Sequence, residues 1–320
     1  MALTYIFFIA GFLFLIKGAD FLVDGAASIA KKFKISTLVI GLTVVSFGTS
    51  APELVVNIIS SIRGSGDLAV GNIIGSNIAN ILLILGVSAL ICALSVKRGT
   101  IWKEIPFSLM AILVVFVLVN DSFFDKTSVS MLSRIDGIIL LAFFALFLYY
   151  TFSIAKVHDG EKDSDIKTHG MLLSAIMIAL GLAGLTFGGK WIVDGAIMIA
   201  NQLGIGEAVI GLTVVAIGTS LPELATSAIA AYKKQSDIAI GNVVGSNIFN
   251  LFWILGLSAV IRPLSFTTAL NRDIIVCIFA TFLLFIFMFV GKKHKLEKWQ
   301  GAVFVGLYIA YLVVLVFSTV

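Results

Sequence analysis

The sequence predicts an all-α membrane protein that crosses the bilayer ten times, in two inverted five-helix repeats. Three observations support this prediction. The 320 residues are 59% hydrophobic and only 12% charged, whereas soluble domains carry roughly 25% charged residues. Apolar runs such as 107–119 and 274–290 approach the roughly 20 residues that one crossing needs. The same polar motifs also occur twice, at positions 170 residues apart.

Apolar runs separated by charged breaks define the ten predicted crossings. They lie at residues 3–30, 36–62, 67–95, 102–120, 132–155, 170–201, 206–232, 237–261, 272–290 and 298–318. This division predicts a first repeat at 1–155, a polar cytoplasmic linker at 156–169 and a second repeat at 170–320. A calcium-binding loop is the alternative to a plain linker, although the linker lacks the glycine and the terminal glutamate of an EF-hand.

Basic residues are concentrated on one side of the predicted topology. With the N-terminus outside, fifteen Lys and Arg residues fall in cytoplasmic loops and five in outer loops, and an excess of Lys and Arg is typical of cytoplasmic loops. We therefore expect a multi-pass protein of the cell membrane with both termini extracellular. The net charge of +4 is spread over short loops, so the lipid bilayer is the expected partner and nucleic acid is not. No motif indicates an obligate protein partner.

The two halves of the chain are similar in sequence. Residues 40–86 align without a gap on residues 210–256, with about half of the positions identical. Each half has an odd number of predicted crossings, so the second copy enters the membrane from the opposite side. Inverted repeats are typical of secondary transporters, whose substrate sites lie near the midplane on interrupted helices. A cation channel, a function of another class, does not require this symmetry.

The motif Gly-Thr-Ser-x-Pro-Glu occurs in the second and seventh crossings, at 48–53 and 218–223. A proline in mid-helix removes one N–H donor and clashes with the carbonyl four residues back, so the sequence predicts a helix break in each copy. Freed carbonyls inside a membrane need protein, water or an ion as a partner. We expect the carbonyls of Ser46 and Ala216 to tilt into these breaks.

Hard oxygen donors surround both predicted breaks. Glu53 and Glu223 are the only acidic residues deep within predicted helices, and ionisable residues at that depth are usually functional. The hydroxyl donors beside them are Thr49, Ser50, Thr219 and Ser220. Carboxylates, hydroxyls and carbonyls together suit a hard cation such as Ca²⁺ or Na⁺. The alternative is a pair of proline kinks whose glutamates only bond neighbouring helices.

A second motif, Gly-Asn-x-x-Gly-Ser-Asn, occurs in the third and eighth crossings, at 71–77 and 241–247. Its glycines are typical of close helix packing. The motif serine and the asparagine four residues later share one helix face, so we expect both to line the ion pathway. These residues are Ser76 and Asn80 in the first copy and Ser246 and Asn250 in the second.

Together, the two motif pairs resemble the alpha repeats of the calcium/cation antiporter superfamily, and most closely those of its prokaryotic sodium/calcium exchangers. The resemblance covers essentially the whole chain. It implies a transporter, not an enzyme, that exchanges Na⁺ for Ca²⁺ electrogenically by alternating access and needs no cofactor. It also implies a diamond of cation sites between the second, third, seventh and eighth crossings, past which the first and sixth crossings slide.

The resemblance assigns roles to individual positions. Glu53 and Glu223 match the family's calcium-binding carboxylates, and Thr49 and Thr219 match backbone carbonyl ligands of the same ion. The positions that match sodium ligands are Ser46, Ser50, Ser76, Ala216, Ser220 and Ser246. Asn80 and Asn250 match polar positions beside the centre. Some members have aspartate in place of Asn250, among them potassium-dependent exchangers and at least some archaeal sodium/calcium exchangers, so we expect transport without K⁺.

The first and sixth crossings differ from the others. They carry few small residues, so we expect a smooth sliding contact along long apolar stretches such as 6–16. Lys17 and Lys190 fall within these crossings, and we expect them to reach the interface or to pair with Asp20, Asp24 or Asp194. We expect a structural role for both lysines and no contact with the transported ions.

Besides the cation channel named above, two rival functions remain open from the sequence. A proton/calcium antiporter, or one for another divalent cation, is the nearer rival, although that branch typically has a Gly-Asn…Glu-His signature in place of Gly-Thr-Ser…Pro-Glu. An intramembrane hydrolase is the second, and no Asp pair, Ser/His pair or HExxH motif supports it.

Overall fold

The computed structural model of the protein describes residues 2–120, 130–155, 168–202 and 216–317. In these ranges eight helices are long and apolar enough to cross a membrane. Two shorter helices, Thr37–Thr49 and Ala51–Arg63, pass the same test only as a pair, and they meet at an angle of 48°. The chain is therefore an all-helical polytopic membrane protein.

The first half of the chain contains nine α-helices, two π-helical segments and two short strands within the described residues. They are α1 (Ala2–Phe33), α2 (Thr37–Ile40), π1 (Gly41–Val45), α3 (Ser46–Thr49), α4 (Ala51–Arg63), α5 (Gly66–Ile78), π2 (Ala79–Leu85), α6 (Gly86–Ile91), β1 (Leu94–Ser95), α7 (Arg98–Trp102), α8 (Glu104–Val119), β2 (Met131–Leu132) and α9 (Arg134–Ser153).

The second half repeats this order as far as it is described. It contains α10 (Met171–Gln202), α11 (Ala216–Thr219), α12 (Leu221–Tyr232), α13 (Ser236–Ile248), π3 (Phe249–Ile254), α14 (Leu255–Ile261), β3 (Leu264–Ser265), a 3₁₀ turn (Thr268–Leu270), α15 (Asn271–Phe287), β4 (Lys295–Leu296) and α16 (Lys298–Phe317).

Each predicted crossing overlaps at least one described helix, although the boundaries differ by several residues. The second crossing is the most different, since it consists of α2, π1, α3 and α4 in succession. The seventh, predicted at 206–232, is described only from residue 216 onward. Residues 156–167, most of the predicted linker, lie outside the described residues.

The turns between the long helices form two groups, one at each end of the molecule. Within each group, short strands and polar side-chain contacts join the turns. At one end β1 pairs with β4, and the side chain of Lys97 contacts Asp237 at 2.8 Å between Nζ and Oδ2. At the other end β2 pairs with β3, and the N–H of Thr267 donates to Asp67 Oδ1 at 2.9 Å. Lysine-rich turns predicted on one side of the membrane therefore meet at one end of the molecule.

Glycines bring α1 and α10 into direct backbone contact, which corrects the expectation that these helices have few small residues. A Cβ atom built on Gly18 would lie only 2.8 Å from the carbonyl oxygen of Gly181. One built on Gly11 would lie 2.9 Å from the carbonyl oxygen of Gly188. Distances this short exclude any side chain, so α1 and α10 pack through their backbones over several turns.

The acidic residues of α1 pair with a lysine from another helix. Lys233, directly after α12, places its Nζ 2.6 Å from Asp20 Oδ1 and 2.7 Å from Asp24 Oδ1. The expected partners of these aspartates, Lys17 and Lys190, form no ion pair with them in the described structure. The expected pairing with Asp20 and Asp24 was wrong because it considered only neighbours along the same or the matching helix. The other expectation, that Lys17 and Lys190 reach the interface, stays a prediction.

Candidate ion-binding site

Both predicted helix breaks are present, each at the serine two residues before the proline. In the first copy α3 ends at Thr49 and α4 begins at Ala51, and Ser50 between them has φ −82° and ψ 8°. In the second copy Ser220 separates α11 from α12 with nearly the same angles, φ −89° and ψ 5°. The same local sequence therefore produces the same interruption twice.

Each break places a glutamate in the first turn of a new helix. Glu53 lies in the first turn of α4 and Glu223 in the first turn of α12. Both side chains are only 1% exposed. The N-terminal turn of a helix stabilises negative charge, because unpaired backbone N–H groups and the helix dipole point towards it. The breaks thus help to hold two carboxylates in the interior of the helical assembly.

The two copies of the motif contact each other through these carboxylates. Ser50 Oγ donates to Glu223 Oε1 at 2.8 Å, and Ser220 Oγ donates to Glu53 Oε1 at 3.3 Å. Ser246 joins the first contact, because its Oγ lies 3.0 Å from Ser50 Oγ and 3.5 Å from Glu223 Oε1. Two residues from the first half of the chain and three from the second therefore converge on one buried polar centre.

Nearly all the sequence-predicted site residues are buried. The ten at 3% exposure or less are Ser46, Thr49, Ser50, Glu53, Ser76, Asn80, Ser220, Glu223, Ser246 and Asn250. Thr219 is half-buried, and for Ala216 only the helical backbone is described. A buried group of this size that consists of carboxylates, hydroxyls and amides requires polar partners, since unpaired polar atoms are costly in the interior.

Five oxygen atoms of the predicted residues lack such a partner in the described structure. They are Glu53 Oε2, Glu223 Oε2, Ser76 Oγ, Asn80 Oδ1 and Asn250 Oδ1. All can donate electron pairs to a hard cation. Among the described residues no three His, Cys, Asp or Glu side chains are grouped to hold a metal. A cation here would therefore be held by two carboxylates completed with neutral oxygens.

The hydroxyls of Ser46 and Thr49 are already engaged. Ser46 Oγ donates to the carbonyl of Leu42 at 2.8 Å. The Ser46 carbonyl accepts from the Ser50 N–H at 3.0 Å and from Thr49 Oγ1 at 3.3 Å. Thr49 Oγ1 also lies 3.0 Å from Asn242 Oδ1. The Ser46 carbonyl is thus hydrogen-bonded to the residues at the helix break itself.

Three buried asparagines were missed as site residues by the sequence analysis. Asn242 donates from Nδ2 to Ser227 Oγ at 2.9 Å and to the carbonyl of Glu223 at 3.3 Å. The side chains of Asn77 and Asn247 each donate to the backbone carbonyl of the other residue, in the opposite half of the chain. All three belong to the Gly-Asn-x-x-Gly-Ser-Asn motif, so the signal was present, but the sequence analysis gave these positions no role.

A cavity of about 400 Å³ adjoins both breaks. It lies between α10 and the break residues, and its wall includes Pro52, Pro222 and Thr219. Lys190 and Asp194 of α10 also line it. Most of its wall is apolar, and Thr219 is the one predicted site residue that lines it. Volume alone does not make such a cavity a place for water, which needs about two to four polar partners.

Comparison with known proteins gives a consistent result over nearly the whole chain. The family model described as sodium/calcium exchanger protein matches residues 3–153 and 173–317. The sodium/calcium exchanger MaX1 of Methanosarcina acetivorans is 32% identical, with 98% of this chain and 99% of that protein covered. The inner membrane protein YrbG of Escherichia coli is 34% identical, with 98% and 97% covered.

A solved structure of the sodium-calcium exchanger NCX_Mj, soaked with 10 mM Na⁺ and zero Ca²⁺, has a similar fold. The TM-score is 0.83 at 33% sequence identity, and 98% of each chain is covered.

Proposed function

The chain belongs to the sodium/calcium exchanger protein family, and from this premise we propose that it is a secondary active antiporter that exchanges Na⁺ for Ca²⁺ by alternating access. Members of this family are exchangers that carry cations across membranes. The finer parts of the proposal are the identity of the two ions, the residues that bind them, the electrogenic stoichiometry and the membrane topology.

The observation that carries the proposal is the crossed pair of serine–glutamate hydrogen bonds. Ser50 bonds Glu223 and Ser220 bonds Glu53, so each carboxylate is held by the other half of the chain. One oxygen of each carboxylate has no hydrogen-bond partner. Two carboxylates match the charge of one Ca²⁺, and their free oxygens with the neighbouring neutral oxygens provide the hard ligands that Ca²⁺ and Na⁺ prefer.

We assign the ions to overlapping positions in this centre. Ca²⁺ would take both glutamates and the carbonyls of Thr49 and Thr219. Several Na⁺ ions would use the same carboxylates with further oxygens from Ser46, Ser50, Ser76, Ala216, Ser220 and Ser246, beside Asn80 and Asn250. Shared ligands make occupation by the two ions mutually exclusive, which is the physical basis of antiport.

The stoichiometry that we propose is electrogenic. More than two Na⁺ per Ca²⁺ moves net charge with each cycle, and each elementary charge is worth about 2.3 kcal/mol per 100 mV of membrane potential. The membrane potential then adds to the Na⁺ gradient as a driving force. A two-for-one exchange would not use the potential.

For the topology we propose ten crossings in two inverted five-helix repeats, 1–155 and 170–320, joined by the cytoplasmic linker 156–169. The grouping of lysine-rich turns at one end of the molecule supports this arrangement. Since cytoplasmic loops carry the excess of Lys and Arg, we place that end in the cytoplasm, both termini outside and the protein in the cell membrane.

For alternating access we propose that α1 and α10 slide together past the helices that hold the ions. The ion-holding helices are cross-linked by buried hydrogen bonds between the two halves. Most of the exposed side chains of α1 are apolar, with Lys17 and Lys32 as exceptions, and an apolar surface suits movement against lipid. An ion shifts such an equilibrium only through different affinities for the two states, so the position of α1 should respond to Na⁺ and Ca²⁺.

The experiment that tests the function is ⁴⁵Ca²⁺ uptake by purified protein in liposomes. Vesicles loaded with Na⁺ and diluted into Na⁺-free choline medium should accumulate Ca²⁺, and vesicles with equal Na⁺ on both sides should not. An inside-positive potential should accelerate the uptake if more than two Na⁺ leave per Ca²⁺. Uptake that ignores the Na⁺ gradient and follows a pH gradient would instead support the proton/calcium alternative.

A further inference from the structure

Four buried asparagines form a reciprocal set of hydrogen bonds between α5–π2 and α13–π3. Asn80 Nδ2 donates to Asn247 Oδ1 at 2.9 Å, and Asn250 Nδ2 donates to Asn77 Oδ1 at 3.0 Å. Asn77 and Asn247 in turn each donate from Nδ2 to the other's backbone carbonyl, at 3.2 and 3.4 Å. Positions 77 and 247, like 80 and 250, are separated by 170 residues, so the two halves exchange equivalent bonds.

These bonds fix the orientation of two side-chain amides. An amide carries its oxygen and its NH₂ group on opposite sides. Because Nδ2 of Asn80 and Nδ2 of Asn250 are held by Asn247 and Asn77, their Oδ1 atoms must face the other way. Those two Oδ1 atoms are buried and have no hydrogen-bond partner among the described residues.

The roles within the set are therefore unequal. Asn77 and Asn247 use both ends of their amides on protein atoms. Asn80 and Asn250 use only the donor end. We propose that Asn77 and Asn247 are positioning residues of the ion site, which keep the amide oxygens of Asn80 and Asn250 turned towards the transported cation. This inference rests on the proposed exchange function.

The energetic reason is the polarity of the amide. If the partner amide is removed, Asn80 or Asn250 can rotate by half a turn and present NH₂, the positive end of its dipole, to a cation. A misdirected donor replaces attraction with repulsion, whereas the volume of the side chain is unchanged. Loss of one such ligand should weaken ion binding roughly fivefold or more, since a single buried hydrogen-bonding group contributes on this scale.

The test is a double-mutant cycle on one pair. Asn247→Ala, Asn80→Ala and the double variant are purified, reconstituted and assayed for the half-saturating concentrations of Na⁺ and Ca²⁺. Asn247→Ala should raise this concentration roughly fivefold or more for at least one of the ions. In the Asn80→Ala background it should have almost no further effect, because Asn247 acts through Asn80. Unchanged half-saturation for both ions, or effects that multiply independently, would overturn the proposal.

A control variant and a second asparagine pair distinguish the proposed positioning role from a purely structural one. Asn120 and Asn271 form a similar reciprocal amide pair outside the site, with bonds of 2.9 and 2.8 Å. Asn120→Ala should lower thermal stability without changing either half-saturating concentration. The Asn77–Asn250 pair gives an equivalent cycle if Asn247→Ala does not fold. If alanine at 77 and at 247 both prevent folding, these residues serve helix association and the positioning role is rejected.

The proposed function is checked first in the same vesicles. If the unaltered protein shows no Na⁺-dependent Ca²⁺ uptake, the exchange function fails before any variant is compared. If the unaltered protein does exchange these ions, but the effects of the two substitutions on half-saturation are independent of each other, only the positioning role fails.

Discussion

Ser50 and Glu223 are 173 positions apart in the chain, yet the serine hydroxyl donates to the glutamate carboxylate at 2.8 Å. Both residues are buried, at 0% and 1% exposure. The bond joins the break of one half to the new helix of the other. One carboxylate oxygen is thereby fixed, and the second is left without a partner in the centre that we assign to the ions.

The first prediction concerns the two carboxylates. Glu53→Gln or Glu223→Gln should reduce Na⁺-driven ⁴⁵Ca²⁺ uptake by roughly a hundredfold or more, because removing one partner of a buried charge pair costs about 3–5 kcal/mol. The amide is nearly isosteric, so the protein should still fold. Size-exclusion chromatography and thermal unfolding check this.

Glu104 supplies the matched control. It is another glutamate of 1% exposure, and it accepts a hydrogen bond from the hydroxyl of Tyr150, away from the assigned site. Glu104→Gln should keep Ca²⁺ uptake within a few-fold of the unaltered protein. Normal uptake by a folded Glu53→Gln protein would show that the site assignment is wrong.

The second prediction is that transport needs no potassium. Asn80 and Asn250 carry no charge, so the centre has two carboxylates among its described residues and no third to balance an additional K⁺. Na⁺-driven Ca²⁺ uptake should be the same in choline as in K⁺ medium. Loss of most of the uptake in choline would contradict this.

The third prediction concerns movement of α1. Spin labels at position 32, on the exposed last turn of α1, and at position 261, at the end of α14, lie at opposite ends of the molecule. The distance between them should change among saturating Na⁺, saturating Ca²⁺ and neither ion, because α1 slides while α13 and α14 stay fixed. Pulsed electron paramagnetic resonance measures this distance. One unchanged distribution in all three conditions, in protein shown to transport, would exclude the sliding model.

The fourth prediction concerns the ion pair that ties α1 to α12. Lys233→Gln removes both contacts to Asp20 and Asp24 and should depopulate the conformation described here. The three side chains are 22% to 36% exposed, and pairs of this kind contribute about 0.2–1 kcal/mol, so the shift in populations should be at most roughly fivefold. The same pair of spin labels reports it.

Lys234 is the control for this variant, because it is the adjacent lysine and its side chain is exposed. Lys234→Gln should leave the distance distribution unchanged. An equal response to both substitutions would mean that general loss of positive charge, and not the contact with α1, sets the balance.

The breaks and the glutamates of the site could be predicted from the sequence because their causes are local. A proline such as Pro52 or Pro222 interrupts a helix when it stands in mid-span. A glutamate next to it in an apolar segment is energetically costly and is therefore usually functional. Both features also recur 170 residues later in the chain, which gave each prediction a second, independent observation. The membrane class followed from composition alone.

The partners of the site residues could not be predicted in this way. Asn242 bonds Thr49 over 193 positions, and Asn247 bonds Asn80 over 167, and spacing within one helix carries no information about such pairs. Lys233 was missed as the partner of Asp20 for the same reason. The glycines of α1 and α10 were overlooked because their shared interface exists only once the two helices are side by side.

The glycine contacts between α1 and α10 also bear on how tightly the two ion gradients are kept apart. A leak requires both entrances to the site to be open at once, and this would require the two helices to move independently. The backbones of α1 and α10 contact each other at Gly18 and Gly181, so we expect the two helices to move as one unit. In the proposed mechanism only one entrance would then be open at a time, and ions would cross only in exchange.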